Sequence, residues 1–310
     1  MNPKEIWKTE LKNEIFGGLT PTNDPFNETK FYISDGWGST YPSMKLRQLS
    51  FENGKELNVI PIKNLVRCLY FNPDGKNIFA VSDKKIFQIN RNDFSIIKKF
   101  EKGIQKYNDY ISSNDKDTLL LMNFNSDFLF IYNYFEEKGI KKKLKTCSGI
   151  FKENDNTFLI FCPRIGSVQQ LDLQTTKLKE ILQTRIFKEA YKSKSDKFYF
   201  HLGKVIEATY NTHERIEPIS QINICSKSDL TKMIELKFDF NFNTFVVSEN
   251  EEKLYLVNNN QIWIYSLIEN KTIDKITLNE KARVAQVFDQ QQIFISYEYD
   301  KSNIITGWKL

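Results

Sequence analysis

Three cations, Arg67, Lys188 and Arg283, stand at matching positions of a repeat, with Asp109 and Asn243 at two further copies of the position and Asp35 as a looser addition. Cations converging on an opening of low dielectric hold a carboxylate or phosphate through charge-assisted hydrogen bonds. The same residues also read as a hydrated rim whose charges pair among themselves, Arg67 with Asp109 for example. Asp35-Gly36-Trp37-Gly38-Ser39-Thr40-Tyr41 is the most unusual local sequence. Two glycines around Trp37 position a large flat side chain, either to anchor a partner or stack on a ring, or to plug a gap as part of a tight turn.

Catalytic constellations are thin, so no catalytic residue, metal or cofactor is assigned. The two histidines, His201 and His213, fall in or beside an insertion, away from the repeated positions, and lack partners at metal-ligand spacing. His201 follows Phe198-Tyr199-Phe200 and reads as a strand-end or loop residue. Cys68, Cys147, Cys162 and Cys225 show no CxxC spacing and sit in or beside apolar runs. They read as buried thiols of a reducing compartment, and Cys147 has no histidine base beside it. There is no GxSxG, P-loop or dinucleotide fingerprint.

The elements that carry these positions are legible from one motif. In Leu69 to Val81, Asn72-Pro73-Asp74-Gly75 supplies a side-chain acceptor, a fixed φ and a glycine free to take φ > 0, flanked by short apolar runs rich in strand formers. Ile86 to Ile89 gives a third buried strand, and Ser95 to Phe100 a more charged fourth. The order recurs: Leu49, Ile89, Ile131, Leu171, Ile224, Ile264 and Trp308 end successive third strands. Most intervals fall near the roughly 40 to 45 residues of a four-stranded propeller blade. The long interval from Leu171 to Ile224 places an insertion around Gly203 to Glu217. Seven blades follow, in one all-β domain over 1–310. The last blade has three strands of its own, so the segment around Ile6, Trp7 and Leu11 (5–12) is expected to supply its fourth and close the ring. Residues 14–29 are expected to form a long loop. Innermost strands line the channel of such a fold, which puts the repeated cations at one mouth.

The chain carries 44 basic and 39 acidic residues, a formal charge of +5. That mild balance does not argue for nucleic acid. The densest basic run, Lys138 to Lys145, falls on an expected outer strand, where lysines keep an edge from pairing with other chains. The first residues are polar with no apolar h-region after them, and no stretch approaches 18 apolar residues, so neither a secretory signal nor a membrane span is expected, and the compartment reads as cytoplasmic.

The Phe71-Asn72-Pro73-Asp74-Gly75-Lys76 signature resembles that of WD40 and YVTN-type β-propeller proteins. The match is strong in one blade; the Gly-His and Trp-Asp pairs of WD40 repeats are absent. The resemblance implies a seven-bladed propeller and, since such proteins are mostly binding platforms, a non-catalytic module that binds another protein, such as an immunity or accessory protein. The alternative it implies is a lactonase- or lyase-like propeller enzyme, or a binder of a small anionic ligand held by Arg67, Lys188 and Arg283.

Overall fold

The computed structural model describes residues 3–15, 19–34, 44–83, 85–102, 104, 108–123, 127–144, 147–207 and 214–310. In chain order, β1 (Lys4–Glu10) precedes a first blade of β2 (Thr22–Asp24), β3 (Asn27–Ser34), β4 (Leu46–Ser50) and β5 (Glu56–Ile60). The second blade is β6 (Val66–Phe71), β7 (Asn77–Ser82), β8 (Ile86–Asn90) and β9 (Ile96–Phe100). The third is β10 (Tyr110–Ser113), β11 (Thr118–Met122), β12 (Phe128–Asn133) and β13 (Lys138–Lys143). The fourth is β14 (Gly149–Lys152), β15 (Thr157–Cys162), β16 (Ser167–Asp172) and β17 (Lys177–Gln183). The fifth is β18 (Phe187–Lys192), β19 (Lys197–Glu207), β20 (Glu214–Ser226) and β21 (Asp229–Lys237). The sixth is β22 (Thr244–Val247), β23 (Lys253–Asn258), β24 (Gln261–Ser266) and β25 (Lys271–Thr277). The seventh holds β26 (Ala282–Phe288), β27 (Ile293–Glu298), β28 (Lys301–Lys309) and β1.

These are the seven four-stranded antiparallel blades of a β-propeller, and the N-terminal strand completes the last of them as expected. The local reasons repeat from blade to blade. Second strands such as β7, β11 and β15 are buried along nearly their whole length, because neighbours cover both faces, whereas β13 and β25 are largely exposed. In five blades the turn from third to fourth strand ends in a left-handed residue: Gly54, Phe94, Glu137, Thr176 and Asn270. A left-handed residue there lets a short turn rejoin twisted strands. The Asn72-Pro73-Asp74-Gly75 turn is confirmed, with Gly75 at φ 69° and its N–H donating to the Asn72 carbonyl at 2.9 Å.

The chain packs as two compact units, residues 1–101 with 246–310, and residues 102–245. In the first, Trp7, Phe31, Phe51 and Phe288 share a core with Leu49, Ile295 and Ile305. A buried polar knot lies instead beside the second core of this unit, that of Tyr32, Leu46 and Ile78: Nη2 of Arg91 lies 2.9 and 3.0 Å from the two oxygens of Asp24, whose side chain is fully buried. The Tyr32 hydroxyl and Gln48 complete the knot, and the Arg91 guanidinium stacks on Phe26. In the second unit, Phe161, Phe187, Phe198 and Phe200 interlock around Cys225. Its counterpart to the Asp24–Arg91 pair is Glu153 with Lys227. In both pairs an acid at the end of a first strand takes a cation just past the third strand of the next blade.

Two expectations change. Of residues 14–29, read as loop, 22–24 and 27–29 are strand, because Asp24-Pro25-Phe26-Asn27 makes a tight turn in which Asp24 Oδ1 accepts from the Phe26 N–H at 3.0 Å. The insertion of the fifth blade lies where its spacing predicts, but it is an extension of the β19–β20 hairpin, paired from Gly203↔Pro218 out to Glu207↔Glu214.

Candidate functional site

Each described candidate sits at the start of the first strand of its blade, as the repeat alignment requires. In the first unit, Arg67 follows Val66 at a bulge of β6 and forms an ion pair through Nε with Asp83, a nearly buried acid beyond the end of β7. Arg283, in β26, donates from Nη1 to the carbonyls of Glu280 and Ala282 at 2.7 and 2.8 Å, and its guanidinium lies 5.1 Å from the Tyr299 ring. Both guanidinium groups are therefore engaged by the chain itself. Asp35 and Trp37 lie outside the described residues.

In the second unit, the Asp109 N–H donates to the Met122 carbonyl at 2.8 Å, tying the approach to β10 against β11. Lys188 and Asn243 come together, Lys188 Nζ donating to the Asn243 carbonyl at 3.0 Å. This contact belongs to a polar and aromatic cluster that spacing alone did not assemble. Glu189, next to Lys188 at a bulge of β18, accepts from the Phe245 N–H and the Thr244 hydroxyl, each at 3.0 Å. Opposite it on β19 is His201, fully buried, stacked on Phe242 at 4.2 Å between ring centroids and edge-on to Phe245.

The imidazole chemistry follows from its partners. Nε2 is 3.1 Å from the Ile219 carbonyl, which only accepts, so Nε2 carries a hydrogen. Nδ1 then faces Glu189 Oε1 at 3.5 Å. In a general-base pair the carboxylate accepts from Nδ1–H and leaves Nε2 free to act as the base; in this chain the hydrogen sits on Nε2, and Nδ1 makes no hydrogen bond among the described residues. Here the ring is buried between phenylalanines and its outer nitrogen is spent on a backbone carbonyl, so it reaches no substrate and pins β18 and β19 to the segment Phe242–Phe245.

His201 is thus a mid-strand residue rather than the strand-end or loop residue its neighbours suggested, because the hairpin extension carries β19 past it. The alternation of phenylalanine at 238, 240 and 242, with Phe245 after it, was the available signal for the aromatic wall around it. Cys147 and Cys162 are completely buried, and burial holds the Cys147 thiol well above its ordinary range and pushes Cys162 up to about 12. Cys147 is accordingly no nucleophile. Among the described residues there is no group of three His, Cys, Asp or Glu placed to hold a metal ion, and no helix long and apolar enough to cross a membrane.

No family model matches the chain, and no curated protein matches its sequence. Solved structures do match its fold. The β-propeller domain of Cps50 (Swd1) from Myceliophteria thermophila superposes with a TM-score of 0.68 at 8% identity, covering 97% of this chain and 99% of that one. The WD40 domain of Neurospora crassa Pan2 gives 0.69 at 10% identity, over 99% and 95%. Hydrazine synthase of Kuenenia stuttgartiensis gives 0.63 at 9% identity, over 96% and 97%. At such identities the likeness is one of fold: a seven-bladed, WD40-like propeller.

Proposed function

We propose that this chain is a non-catalytic binding module that engages another protein, in the manner of an immunity or accessory protein serving a dedicated partner in the cytoplasm. The observation that carries the reading is the engagement of its candidate cations. Arg67 is neutralised by Asp83, Lys188 is bound to the Asn243 carbonyl, and Arg283 is held by two carbonyls and Tyr299. Cations so occupied would have to exchange these partners to grip a small anion, which weakens the case for an anion binder or a lactonase- or lyase-like enzyme. WD40-like propellers as a class are often protein-binding, and the fold supports the same reading. A single domain over 1–310 is part of the proposal.

The test is a pull-down from the native cell beside a thermal-shift screen of metals and anionic metabolites. A stoichiometric protein partner with no ligand effect supports the reading. Stabilisation by an anion that disappears in Arg67→Ala and Arg283→Ala overturns it.

A further inference from the structure

The third blade ends in an outer strand unlike a merely protected edge. β13 carries Lys138, Lys141, Lys142 and Lys143 and no acid. Lys138 has only a long, exposed contact to Glu136, at 3.8 Å, and no described acid pairs with Lys141, Lys142 or Lys143. Side chains alternate across the strand. Lys141 and Lys143 therefore stand on one face, and Lys138, Ile140 and Lys142 on the other.

Apolar surface accompanies the charge. Ile140 is 52% exposed on β13, and Phe128, directly opposite Lys143, is 40% exposed with Lys141 Nζ 5.7 Å from its ring. β13 is hydrogen-bonded to β12 on one side only, so alternate residues direct their N–H and C=O groups outward.

Resting on the protein-binding reading above, we propose that β13 receives an extended acidic segment of a partner protein as a fifth strand of the blade, with carboxylates against Lys138, Lys141, Lys142 and Lys143 and an apolar residue against Ile140. The lysines that repel a second copy of the same edge select a strand of opposite charge. The outward backbone ladder is what distinguishes this occupant from nucleic acid, which offers a charged backbone but no amide ladder to pair.

The probe is a synthetic peptide of about eight residues, alternating glutamate and aspartate around a central isoleucine, long enough to span the strand. Its binding to the whole chain is measured by calorimetry at low salt, beside the same peptide methylated on alternate amide nitrogens and a single-stranded oligonucleotide. We expect binding that weakens with salt, falls about tenfold in Lys141→Glu/Lys143→Glu, and is lost with the methylated peptide. These two exposed substitutions leave the core untouched, and an unchanged melting temperature verifies it. No peptide binding, equal binding of the methylated peptide, or preference for the oligonucleotide overturns the inference. A native partner held equally by the wild type and by Lys141→Glu/Lys143→Glu also overturns it while leaving the binding-module reading intact.

Discussion

The indole of Trp7 lies directly against the backbone of Gly307: a β carbon at position 307 would stand 2.2 Å from Trp7 Cε2. Gly54 abuts the same ring, and Trp7 Nε1 donates to the Phe51 carbonyl at 2.6 Å. The first strand is thus seated on the last by a buried side chain that tolerates nothing larger than hydrogen beneath it. Gly307→Ala should cost about 1–3 kcal/mol by overpacking, and Trp7→Ala about 3–5 kcal/mol by cavity formation. Urea unfolding measures both, and a Gly307→Ala protein as stable as the wild type would refute the seating.

Asp24 and Arg91 make the second prediction. With Asp24 buried, Asp24→Ala leaves the Arg91 guanidinium, 19% exposed, without its partner, at a cost of about 3 kcal/mol. The double variant Asp24→Ala/Arg91→Met should recover part of that loss, since the stranded charge is then gone. A double variant no more stable than Asp24→Ala would show that the pair is not the source of the effect.

Glu189 is predicted to be structural. Glu189→Ala orphans the Phe245 N–H and the Thr244 hydroxyl and should cost about 1–3 kcal/mol. Thermal unfolding reads the effect, and an undiminished melting temperature would contradict the structural role.

Thiol chemistry gives the fourth. Burial raises Cys147 well above its usual range, Cys162 to about 12 and Cys225 to about 11, so the thiolate form of each is scarce at neutral pH and reappears only as pH climbs through those values or the chain unfolds. Iodoacetamide at pH 8 should label half-buried Cys68 first, and all four only in denaturant. Mass mapping of the adducts checks this; early labelling of Cys147 would contradict its burial.

Thr176, a β-branched residue at φ 52°, occupies a left-handed turn position that Gly54 and Asn270 fill in other blades. A left-handed conformation costs a residue with a β carbon about 1–2 kcal/mol, and asparagine tolerates it better. Thr176→Asn should therefore stabilise by about 0.5–1 kcal/mol, which for a chain of this length raises the melting temperature by about 1 °C, and a lower value would mean that the Thr176 side chain makes a compensating contact.

The amino-acid order by itself determined the blades. Hydrophobic runs such as Leu119–Met122 and Leu254–Val257 and turns such as Asn72–Gly75 are local signals, and their spacing placed every third strand, the fifth-blade insertion and the role of β1. It also placed Arg67, Asp109, Lys188, Asn243 and Arg283 at first-strand starts, because register within a repeat is itself local. Partners were decided only in three dimensions. That Arg67 meets Asp83, Lys188 meets the Asn243 carbonyl, His201 meets Glu189 and Phe242, and Trp7 rests on Gly307 depends on bulges, hairpin length and the packing of blades far apart in sequence. Periodicity reports which face of a strand is buried; it carries no information on which distant side chain arrives to meet it.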